Sequence, residues 1–133
     1  MPGERILLIE DEDRLRNNLC RLLGRDGYDI TIAASGEEGL AYAQGRPFHV
    51  VVTDLVMEAY ERFDLLDRLV EHIPETPIIV ITGHASILTK AEALSRGACD
   101  FLAKPFAISL LRGAIAQALQ PLRNGYPAKA KCG

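Results

Sequence analysis

Three short runs of the chain contain no polar residue: Ile6–Ile9, Val50–Val52 and Ile78–Ile81. A strand with one face in water alternates apolar and polar side chains. A strand that is apolar at every position is covered on both faces, the signature of a buried parallel sheet. Each run also ends abruptly in polar residues. Glu10, Asp11, Glu12 and Asp13 follow the first, Thr53 and Asp54 the second, and Thr82 the third. Any fold for this chain has to bury three parallel strands and gather their polar ends.

Two weaker strand signals complete the pattern. Tyr28–Ile32 alternates, and Cys99–Leu102 is short and partly polar, so both suit sheet edges. With the second run read as Val50–Thr53, five strands are expected, separated by stretches of helical period. Leu15, Leu19, Leu22 and Leu23 mark the first helix. Phe63, Leu66, Val70 and Ile73 mark the third. Ile87, Ala91 and Leu94 form a weaker face on the fourth, and Leu110, Leu111, Ala114, Ile115, Ala118 and Leu119 a strong one on the fifth. Ser35 with Glu38 opens the second helix as a capping box. Gly27, Gly45 and Gly97 fall where the first, second and fourth helices should stop. Pro74 and Pro77 bracket the link from the third helix to the fourth strand.

Strict alternation of strand and helix implies an α/β fold with right-handed crossovers. Inner strands one, three and four with outer strands two and five give a doubly wound, five-stranded parallel sheet. Its order is 2-1-3-4-5, with helices on both faces. Such a sheet opens a crevice at the C-terminal ends of strands one and three.

The 133 residues suffice for about one domain. Residues 1–120 are expected to form it. Residues 121–133 read as a flexible tail or the start of a linker, because Pro121, Asn124, Gly125 and Pro127 break helix there. A formal net charge of −3 argues against a direct grip on nucleic acid. Three scattered cysteines without a CxxC argue for a reducing, cytoplasmic setting. No apolar run exceeds four residues, so no membrane span is expected.

The crevice would collect Glu10, Asp11, Asp54, Thr82 and Lys104. Three carboxylates at one point repel unless a cation compensates them. Mg²⁺ suits all-oxygen sites that combine one or two carboxylates with water and phosphate oxygens. A carboxylate such as Asp54 can act as nucleophile toward phosphorus and form an acyl phosphate. Thr82 and Lys104 would then donate to the phosphoryl oxygens.

These residues resemble the two-component response-regulator receiver domain, a CheY-like family. Four segments carry the likeness: Ile6–Glu12, Val51–Met57, Ile79–His84 and Gly97–Phe106. The resemblance runs from about Arg5 to about Leu119. It implies that Asp54 accepts a phosphoryl group from a sensor histidine kinase or phosphotransfer protein. It further implies Mg²⁺ held by Asp11 and Asp54 directly, by Glu10 through water and by the Val56 backbone carbonyl. Thr82 and Lys104 would contact the phosphoryl group, and Phe101 would be an aromatic switch coupled to Thr82. The Lys104–Pro105 bond is often cis in the family. The output partner, or a second copy of the chain, would read the face formed by the fourth and fifth helices. The stretch from Thr82 to Ala85 is similar to receivers attached to enhancer-binding transcriptional activators.

Glu58 and Arg62 depart from the family pattern, which usually has Pro and Gly there. That departure motivates an alternative, a pseudo-receiver that serves only as a docking module. A further alternative, a haloacid-dehalogenase-like phosphatase, would use Asp11 and Asp13. Val56 and His84, each two residues beyond a site residue, occupy positions that modulate phosphoryl lifetime in the family.

Overall fold

In a computed structural model the described residues are 3–123, with side chains described through Gln120. They form five strands alternating with five helices. In chain order these are β1 (Arg5–Ile9), α1 (Asp13–Arg25), β2 (Asp29–Ala33), α2 (Gly36–Gly45) and β3 (Val50–Asp54). There follow α3 (Asp64–His72), β4 (Ile78–Thr82), α4 (Ile87–Ser95), β5 (Asp100–Ala103) and α5 (Ile108–Arg123). The strands pair in parallel in the order β2-β1-β3-β4-β5. The expected doubly wound fold is therefore the observed one.

The apolar runs are continuous because successive side chains enter two different cores. Ile6, Leu8, Val50, Val52, Ile79 and Ile81 meet α1 and α5 through Leu19, Leu23, Leu111 and Ile115. Leu7, Ile9, Val51, Ile78 and Val80 meet α2, α3 and α4 through Leu40, Leu65, Leu66, Leu69 and Ala93. Burial on both faces leaves no position in β1, β3 or β4 at which water would select a polar side chain before the strand ends.

Several local expectations are corrected. β2 and β5 each lie one residue later than read, because the paired register of their neighbours, not their own composition, sets their ends. The buried face of α3 is Leu65, Leu66 and Leu69. Phe63 and Ile73 instead cap that helix at its two ends, and Val70 is only partly buried. On α4 the expected face holds only at Leu94, which packs against the core; Ile87 is 88 % exposed and Ala91 is also exposed, while Ala93 is buried. On α5, Leu110 points outward and the other five marked residues are buried.

The helix ends show similar shifts. Gly27 and Gly97 adopt the left-handed conformation past the ends of α1 and α4, as helix stops do. Gly45 does not, since α2 ends in an extended Arg46. Ser35 accepts from the Glu38 amide as expected, but Glu38 reaches back to the Ala34 amide rather than that of Ser35. Pro121 does not stop α5, which runs on to Arg123. A proline in a last turn forfeits one ladder hydrogen bond without preventing the turn. The rest of the expected tail, 124–133, lies outside the described residues. Among the described residues no helix is long and apolar enough to cross a membrane.

Candidate functional site

The register of the sheet builds the site. Asp54 stands beside Ile81 on β4, and Thr82 beside Ala103 on β5. Beyond the strands, backbone bonds keep the exits together. The Leu55 amide donates to the Ile81 carbonyl, the Lys104 amide to the Thr82 carbonyl, and the Glu10 amide to the Ala33 carbonyl. Four separate segments thereby leave the sheet along one edge.

Carboxylate oxygens of Glu10, Asp11 and Asp54 lie within 4.8 Å of one another. Glu10 and Asp54 are buried, whereas Asp11 is exposed. Lys104 enters the same space. Its Nζ donates to Asp54 Oδ2 at 2.7 Å and lies 2.8 Å from Glu10 Oε1. The other Asp54 oxygen, Oδ1, accepts from the Val56 amide at 3.0 Å. Both oxygens of Asp54 are therefore held in a defined orientation. Glu10 Oε2 accepts from the Glu12 amide. Glu10 Oε1 is buried and forms no well-directed hydrogen bond, the nearby ammonium lying off the bonding direction.

Charge balance follows from these contacts. One ammonium faces three carboxylates. Burial pushes the Glu10 carboxyl above its ordinary range, and the Lys104 and Glu12 contacts offset this only in part. Burial works against the Lys104 ammonium, but its bond to Asp54 and its ion pair with Glu10 outweigh that and raise it above the usual lysine range. The pocket favours positive charge, and one lysine leaves part of the demand unmet. The donors are carboxylate oxygens without imidazole or thiolate, and one of them is buried without a directed partner. These features fit a hard divalent ion such as Mg²⁺.

The remaining sequence-predicted residues take mixed positions. Thr82 is fully buried, and its Oγ1 accepts from the His84 amide at 3.0 Å. Val56 lines the site through its amide. Phe101 is buried in the core beneath α2–α4, at the register position opposite Val80. The Lys104–Pro105 bond is cis. Asp13 is not in the carboxylate group; it pairs with Arg16 at 2.8 Å on α1. Glu12 occupies the N-cap of α1 without a side-chain cap bond.

Two supports went unread in the sequence. Arg16 is largely buried and donates to the Glu10 carbonyl at 3.1 Å as well as to Asp13, fixing the first acidic loop. Only its i, i+3 spacing from Asp13 was visible. The loop after Asp54, which carries Glu58 and Arg62, is pinned by Met57, Tyr60 and Phe63. Tyr60 lies so close to Gly36 that any Cβ there would run into its ring. Met57 and Phe63 are buried. These anchors flank Glu58 and Arg62, the positions without the usual Pro and Gly. Ala59 adopts a left-handed φ of 73° in the same loop.

Comparison with known proteins agrees with this geometry. A family profile described as the response regulator receiver domain matches residues 6–116. The DNA-binding transcriptional regulator NtrC of Rhizobium meliloti (strain 1021) is 34 % identical over 125 residues. The match covers 93 % of this chain and 26 % of that regulator, so the chain spans about a quarter of its length. A CheY-like receiver domain protein from Methanospirillum hungatei JF-1 superposes with a TM-score of 0.86 at 27 % identity. That match covers 92 % of this chain and 98 % of the other. A response regulator from Burkholderia pseudomallei, solved with a phosphorylated aspartic acid, a calcium ion and citrate, superposes with a TM-score of 0.78 at 30 % identity, covering 92 % of this chain and 75 % of the other. By profile, sequence and fold together, this chain belongs to the response regulator receiver domain family, the signalling domains of two-component systems.

Proposed function

We propose that the chain accepts a phosphoryl group on Asp54 from a sensor histidine kinase or phosphotransfer protein and relays that change to an output partner. The observation that carries this reading is the Asp54 carboxylate, held by Val56 and Lys104 inside a three-carboxylate group. Asp11 and Asp54, with Glu10 through water and the Val56 carbonyl, would hold Mg²⁺. When bound, the ion supplies charge neutralisation between the carboxylates and an incoming phosphoryl group.

The residues of the chain divide the remaining work. An Asp54 oxygen forms the new bond to phosphorus as the phosphohistidine N–P bond breaks. The electron pair leaves with the imidazole nitrogen, which takes a proton from solvent. Lys104 keeps its ammonium through the step and donates to a phosphoryl oxygen. The Thr82 hydroxyl, whose oxygen already accepts from His84, retains its own proton for donation to another. Phe101 and Thr82 form the switch, and the α4–α5 face carries the signal to an output domain or a second copy of the chain. The likeness to a DNA-binding regulator supports a place in transcriptional control within the cytoplasm, without nucleic-acid binding by this chain itself. The Glu58 and Arg62 departure leaves Asp54 held by the Val56 amide, so a docking-only role gains no support. Asp13, turned to Arg16, gives the phosphatase alternative none either.

The test is incubation with acetyl phosphate and Mg²⁺, read by intact mass. One phosphoryl group is expected on the natural chain and none on Asp54→Ala. Equal labelling of the two would overturn the assignment. Mg²⁺ alone should also stabilise the fold, by about 1.4 kcal/mol at ten times its Kd, and Asp11→Asn should weaken that response.

A further inference from the structure

α4 follows Thr82 and precedes Phe101 and Lys104, so its placement bears on the site. Apolar packing holds it weakly. Among the described residues its one buried side chain is Ala93, while Ile87 and Leu88 are 88 % and 81 % exposed. At its C-terminus, however, Arg96 gathers several contacts. Its Nε donates to Glu92 on α4 and its Nη1 to Asp67 on α3, both at 2.6 Å. Its Cζ lies 4.8 Å from the centre of the Phe63 ring. Arg62, the residue in place of the usual glycine, lies 4.9 Å from the same ring. Phe63 is buried and ends the loop that begins at Asp54.

Each contact alone is weak, because Arg96 is partly exposed and water screens the pairs. Two ion pairs on one guanidinium share the cost of ordering a single side chain, and the ring adds a third, cation–π contact. The loop after Asp54 and the helix after Thr82 thus meet at one residue.

We propose that Arg96 and Phe63 form a clamp that couples the Asp54 loop to α4, acting as positioning residues. A change at Asp54 alters α4 through this clamp, and a partner that moves α4 alters the phosphoacceptor loop in return, since coupling between two sites is reciprocal. The inference rests on the phosphoacceptor reading of Asp54, but the clamp itself does not need it.

Amide hydrogen exchange on the full chain tests this, with and without beryllofluoride and Mg²⁺. Without additions, Arg96→Ala should speed exchange in α4 by about fivefold and leave β1 and β3 unchanged. Phe63→Leu, which keeps both ion pairs and removes only the ring contact, should speed basal α4 exchange less than Arg96→Ala does. With beryllofluoride, residues 55–63 and α4 should both gain protection in the natural chain, and in either variant the gain should stay in the loop. Unaltered α4 exchange in Arg96→Ala, or an α4 response to beryllofluoride equal to that of the natural chain in both variants, would overturn the clamp. A natural chain that shows no beryllofluoride response anywhere would count against the phosphoacceptor reading. The basal comparison would still decide the clamp.

Discussion

The fourth and fifth helices lie on opposite faces of one sheet and are held by different physics. α5 presses Leu111, Ala114, Ile115, Ala118 and Leu119 into the core beneath α1. Burying a Leu or Ile side chain contributes roughly 1.5–3 kcal/mol, so α5 is anchored by the hydrophobic effect. α4 buries Ala93 and is secured at its ends by polar contacts. Ser86 and Thr89 form a reciprocal capping box at the start, and Arg96 bridges to α3 at the finish. A helix held in this way can move at lower cost than α5, because only the contact of Ala93 and Leu94 with the core has to be rebuilt. The contrast separates the part of the molecule that maintains the fold from the part able to report on it.

Four substitutions can break or sharpen that contrast. The largest effect is expected from Leu111→Ala, which empties a fully buried position on α5 and should cost about 3 kcal/mol in urea denaturation. A loss under about 1 kcal/mol would mean that α5 is no better anchored than α4. Next is Ser86→Ala, which removes the α4 cap and should cost about 1 kcal/mol. That loss should appear in local exchange of α4 more than in global unfolding, as expected for an element that opens by itself. Ala59→Gly, in the loop the clamp closes, should stabilise the chain by about 0.5–1 kcal/mol, because glycine tolerates the left-handed backbone that alanine resists. An unchanged urea midpoint would show that this loop is not strained. The smallest effect is expected from Ile87→Ser, within about 0.5 kcal/mol by thermal melting. A much larger loss would mean that Ile87 is covered in solution and that α4 has an apolar anchor after all.

The legibility of the chain follows the same division. β1, β3 and β4, their order and the residues at their C-terminal ends could be read, since a strand buried on two faces records that burial at every position. Glu10, Asp54, Thr82 and Lys104 could be placed because parallel strands deliver their ends to one edge. α4 misled the reading: Ile87 and Ala91 have helical spacing, but spacing does not say which side the sheet covers. The support around the site was equally silent. Glu92 and Arg96 stand four residues apart and could have been paired, whereas Asp67 is 29 positions from Arg96 and meets it only through the fold.

Composition along the strands and helices thus determined the layered architecture and the chemical content of the site, because burial and periodicity act on neighbours in the chain. Tertiary structure alone decided which oxygen of Asp54 meets Lys104, that Tyr60 and Phe63 hold the loop carrying Glu58 and Arg62, and that Arg96 adds a tie from α4 to α3 beside the small core contact of Ala93 and Leu94. Those outcomes depend on distances between segments far apart in sequence, and such distances exist only after the sheet has closed.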